Sequence, residues 1–134
     1  MQKDINKYKN KYRAYFLGTV LGLIVTFLFV LIFAAVLLIF GLNKEFADPF
    51  ATVSLACGSF SSAYFIAYKI GSRGYLIGLC AGIIIFLITT LIGLAINAGA
   101  VTLNTLFHLI IITLSGVLGG ILAVNKEKEN KYIV

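Results

Sequence analysis

Four stretches of this sequence, about 14–40, 50–68, 74–96 and 102–124, contain no Asp, Glu, Lys or Arg at all. Each is long enough to cross a hydrocarbon layer ~30 Å thick, which takes about 20 helical residues. In that layer every backbone N–H and C=O must be satisfied within the segment, and only a helix does this for an open chain. The pattern therefore predicts an all-α membrane protein, with four transmembrane helices in one antiparallel bundle over residues 1–134. Composition agrees: 60% of the residues are hydrophobic and only 12% charged, whereas a soluble domain is roughly 25% charged.

The net charge of +6 does not point to nucleic acid, because of where the basic residues stand. Lys3, Lys7, Lys9, Lys11 and Arg13 precede the first apolar run, Lys69 and Arg73 share one short loop, and Lys126, Lys128 and Lys131 follow the last run. Lys44 alone lies in another loop. Basic residues gather on the cytoplasmic side of short loops, so both termini are expected in the cytoplasm of a multi-pass cell-membrane protein. Residues 1–13 place Ile5, Tyr8 and Tyr12 at helical spacing, with Lys3, Lys7, Lys11 and Arg13 around them. This is expected to be a basic amphipathic segment touching anionic lipid. Residues 125–134 read as a cytoplasmic tail. The first run is too long for the apolar part of a signal peptide and reads as a retained span.

The connections are short, which makes successive helices antiparallel neighbours. Asp48–Pro49 marks the start of the second helix, 69–73 is a tight polar turn, and Asn97 to Ala100 a small uncharged one. Cys57 and Cys80 fall inside apolar runs and read as small buried residues, without a disulfide.

Helices in lipid associate through close backbone approach, because hydrocarbon offers little hydrophobic drive between them. Gly18 and Gly22 form one ridge of small residues, and Gly74, Gly78 and Gly82 a longer one. Gly58, Ser61 and Ser62 form a flat patch on the second helix, and Gly116, Gly119 and Gly120 one on the fourth. These eleven positions are the expected helix-packing sites, within the chain or against a second protein. A shift of 56 residues lays the first span on the third, and a shift of 58 lays the second on the fourth. The bundle then reads as two tandem helical hairpins related by an axis along the membrane normal.

The spans offer one ionisable group, His108, with Asn104 one turn before it and Asn97 at the end of the preceding helix. An ionisable side chain in a membrane is costly, and so is a functional candidate. A hydrogen-bonded packing role is the commoner outcome for a lone histidine. Thr89, Thr90, Thr105 and Thr113 could join them in a polar pocket near the outer leaflet. Metal-ligand, nucleophile-elbow and phosphate-loop motifs are missing, so neither enzymatic activity nor a cofactor or metal is expected.

The segment Lys69-Ile70-Gly71-Ser72-Arg73-Gly74-Tyr75-Leu76-Ile77-Gly78, with Gly116-Val117-Leu118-Gly119-Gly120 further on, resembles an uncharacterised family of small four-span membrane proteins from Gram-positive bacteria. The resemblance runs from about Tyr15 to Asn125 and implies architecture without an activity. The expected role is non-enzymatic: helix–helix association in the bilayer, as a subunit of a membrane complex or as a homo-oligomer. A small-solute transporter or channel, with its polar site near His108, is the alternative.

Overall fold

The computed structural model describes residues 1–97 and 103–133. It contains four long helices: α1 (Gln2–Phe40), α2 (Ala47–Ile70), α3 (Gly74–Asn97) and α4 (Leu103–Ile133). Each is long and apolar enough to cross a membrane, and the described residues include no strand. Four such helices fit a multi-pass membrane protein.

Boundaries differ from the sequence expectation mainly at the basic ends. The segment 1–13 is no separate element: α1 runs unbroken for 39 residues, about 58 Å at 1.5 Å per residue. The polar tail is helical too, since α4 continues past Val124 to Ile133. Neither stretch contains a Pro or Gly to stop it, so backbone hydrogen bonding carries each helix beyond the apolar run. The second helix begins at Ala47, after a short 3-10 turn at Lys44–Phe46, which leaves Pro49 in its first turn. There the missing N–H costs nothing, because the first four donors of a helix have no partner within it. At their C-termini α1 and α2 each stop on a glycine in the left-handed region, Gly41 and Gly71.

Close approach holds each hairpin together. A Cβ added at Gly22 would stand 2.8 Å from Gly58 O, and one at Gly58 2.7 Å from Gly22 O. In the second hairpin a Cβ at Gly78 would collide with Gly116 O, and one at Gly116 would stand 2.6 Å from Gly78 O. The correspondence extends one turn further: Gly18 faces Ser62 and Ile66, as Gly74 faces Gly120 and Val124. The shifts of 56 and 58 map these contacts onto one another. The two hairpins are thus one packing solution used twice.

The hairpins join through α2 and α4, which run parallel. Ser59 Oγ donates to Ile112 O at 2.9 Å, and Ser115 Oγ to Ala56 O at 2.7 Å. A shift of 56 exchanges these two bonds, as a two-fold axis between the helices would. Ala63, Ile66, Ala67, Ile77, Ala81, Ala123 and Val124 form the buried cluster. Its alanines let the backbones come close, as association in lipid requires.

The pseudo-symmetry breaks at one place. Helix α3 packs on both α4 and α2, but α1 packs on α2 without forming an interface with α4. One side of α2 is left open between them.

Candidate functional site: a lateral groove beside His108

The open side of α2 is a groove of about 780 Å³. Phe29 of α1 forms one wall, and Phe107 and Ile111 of α4 the other. The floor is α2 itself, with Thr52, Val53, Ala56, Cys57, Phe60 and Ser61. Small side chains create the space. Nearer the basic end, rings occupy the same face: Phe60 stacks on Tyr64, and Tyr64 on Tyr68, each pair at 6.4 Å. The groove therefore occupies the half of the bundle away from the termini.

Its polar atoms gather at the mouth, where Asp48, Thr52, Asn104 and His108 line it. Thr52 Oγ1 lies 2.9 Å from Asp48 O and 3.0 Å from His108 Nε2. A hydroxyl has one proton, and here the carbonyl takes it. The imidazole must then donate from Nε2–H to Thr52 Oγ1, which leaves Nδ1 as its acceptor atom. His108 is thus a hydrogen-bonded link between α2 and α4 at the edge of a cavity. Among the described residues no three of His, Cys, Asp and Glu come together in a metal-sized cluster.

Of the residues singled out in the sequence, His108 and Asn104 meet in this groove. The backbone of Asn97 ends α3, but its side chain and residues 98–102 lie outside the described residues. The threonines do not form the pocket as anticipated. Thr89 bonds its own helix at Ile85 O, 2.9 Å away, and Thr113 Oγ1 is buried without a partner behind Gly82. The threonine that does reach His108, Thr52, was legible only through the repeat. The shift of 56 that superposes α1 on α3 also sets Thr52 on His108.

The packing positions sort cleanly. Gly18, Gly22, Gly58, Ser62, Gly74, Gly78, Gly82, Gly116, Gly119 and Gly120 all face a neighbouring helix of the same chain; Ser61 alone looks into the groove. The cysteines depart from expectation: Cys57 is half-buried in the groove floor, and Cys80 is exposed on α3. Lys3, Lys7, Lys11 and Arg13 lie on the exposed first turns of α1.

The paired serine bonds set the spacing of α2 and α4, and so the depth of the groove. Interhelical hydrogen bonds in membranes average ~0.6 kcal/mol. The Ser59→Ala, Ser115→Ala double variant is expected to lose about 1 kcal/mol in a reversible unfolding titration in mixed micelles. A loss above about 3 kcal/mol would mean that these hydroxyls carry more than their two bonds.

No curated protein and no solved structure matches this chain. A family model does, described as a protein of unknown function (DUF3792), and it matches residues 11–123. That stretch takes in both glycine-packed hairpins, the α2–α4 serine pair and the whole groove, and the chain belongs to the DUF3792 family.

Proposed function

We propose that this chain is a non-enzymatic protein of the cell membrane, with both termini in the cytoplasm, that works by seating a transmembrane helix of another membrane protein in the groove between α1 and α4. The observation that carries the reading is the chemistry of the groove floor. Elsewhere the lipid-facing surface consists of bulky groups such as Phe27, Leu28, Leu31 and Ile32. In the groove it is Thr52, Ala56, Cys57, Ser61 and Ser115. Small and hydroxyl-bearing residues favour close helix approach over contact with acyl chains. Moreover α2, the least apolar of the four helices, is the one left with an open side. The glycine ridges, which first suggested association, contribute nothing to this surface because they are consumed inside the chain.

The test is a photo-reactive amino acid at Ile111 in the groove wall, compared with one at Leu87 on the exposed face of α3. Irradiated membranes should yield a discrete protein adduct from position 111 and lipid adducts only from position 87. An adduct of twice the chain mass would make the partner a second copy. Lipid adducts from both positions would remove the reading.

The polar mouth supports a second reading, a small-solute site at Thr52, Asn104 and His108. It predicts solute flux in proteoliposomes that His108→Ala reduces, and unchanged flux would dispose of it.

Orientation is testable separately. In a Cys57→Ser, Cys80→Ser background, an impermeant maleimide added to intact cells should label Lys44→Cys at once. Ser72→Cys should react only after permeabilisation. The reverse order would invert the topology proposed from the basic residues.

A further inference from the structure

Near the basic end, α1 and α2 enclose two adjoining crevices that the groove does not involve. One, of about 300 Å³, is lined by Asn10, Arg13, Ala14, Leu17, Phe65 and Lys69. The other, of about 170 Å³, is lined by Lys7, Asn10, Lys11, Lys69 and Ile70. They share Asn10 and Lys69. Four cationic side chains from two helices therefore converge around one amide.

No carboxylate lines either space. Asp4 stands at the start of α1, and Glu127 lies against Gly71. Like charges facing each other across a helix–helix crevice repel, unlike the alternating charges that usually stabilise such a contact. Lys69 is held in place nonetheless, with its ammonium 5.8 Å from the ring centre of Phe65. A bound anion between the helices would turn this repulsion into attraction. The floor says which anion: Leu17, Phe65 and Ala14 are apolar and lead directly into the membrane-length part of α1.

We infer that this crevice is a binding site for an anionic phospholipid of the leaflet on the terminal side, with the phosphate among Arg13, Lys69, Lys7 and Lys11, and an acyl chain along Leu17 and Phe65. Asn10 donates its amide to the same phosphate oxygens. Arg13 supplies a planar fork that suits phosphate geometry, and the lysines act as point charges. Lys3, which lines neither crevice, adds only diffuse attraction to the membrane surface. The site rests on the convergence of α1 and α2 and is independent of what occupies the groove.

The experiment is native mass spectrometry of the full chain released from micelles, with phosphatidylglycerol or phosphatidylcholine of equal chain length added. The wild type should retain phosphatidylglycerol preferentially. Arg13→Gln with Lys69→Gln should weaken that retention about tenfold, as loss of two basic contacts at ~1 kcal/mol each implies. Lys126→Gln with Lys128→Gln removes the same charge from the exposed end of α4 and should leave retention unchanged. Circular dichroism of both pairs checks that the helices persist. Equal weakening by the two pairs would reduce the effect to net charge and overturn the site. So would equal retention of the two lipids. Displacement of phosphatidylglycerol by millimolar inorganic phosphate would make the ligand a soluble anion, and the lipid assignment would fall.

Discussion

Replacing Gly78 by alanine is expected to destabilise the bundle by about 3 kcal/mol, the upper end of the usual cost of overpacking. The added methyl would collide with Gly116 O and stand 2.7 Å from the Cα of Val117. Both obstacles are backbone, so no side-chain rotation relieves the clash and α3 must move off α4. The same change at Gly93 meets nothing within 4 Å. There alanine merely removes the glycine penalty of a helix interior, ~0.5–1 kcal/mol, and the variant should match or slightly exceed the wild type. Two identical substitutions in one helix thus have opposite signs, readable in a single reversible denaturation series in bicelles. Similar losses at both positions would show that the α3–α4 contact is looser than described here.

Much of this architecture follows from patterns visible in the sequence. Helix number and order depend on the uncharged runs, and those runs admit no other backbone solution in a hydrocarbon layer. The repeat was visible as Gly18 and Gly22 against Gly74 and Gly78. The structure gives it a physical meaning, because equivalent residues make equivalent contacts in the two hairpins. Helix ends were less legible. Charge marks where a span leaves the membrane, but a helix such as α4 continues into water if nothing breaks it. The groove could not be read at all. It arises from a contact that is missing, α1 against α4, and a missing contact has no motif. Sequence could nominate His108 and Asn104 as polar residues in apolar surroundings, but Thr52, Asp48 and the small floor residues become a site only once the helices are placed.

Filling the groove should abolish partner capture without harming the fold. Val53 is well exposed and lies on the floor, two helical turns from Phe60, where the stacked aromatic ladder begins. Tryptophan at position 53 would extend toward the mouth the same filling that Phe60, Tyr64 and Tyr68 provide nearer the termini. Because Val53 is absent from the buried cluster, the substitution displaces solvent or lipid and leaves intrachain packing alone, so stability should change by less than about 0.5 kcal/mol. With the photo-reactive group at Ile111, the protein adduct should fall at least about tenfold, which corresponds to ~1.4 kcal/mol of lost docking. Leu87→Trp, on the exposed face of α3, adds the same side chain to a surface that lipid covers, and its adduct yield should equal the wild type. The paired result separates a seat for a helix from general stickiness of an apolar surface. Undiminished capture in Val53→Trp would place the partner on another face and leave the open side of α2 to lipid.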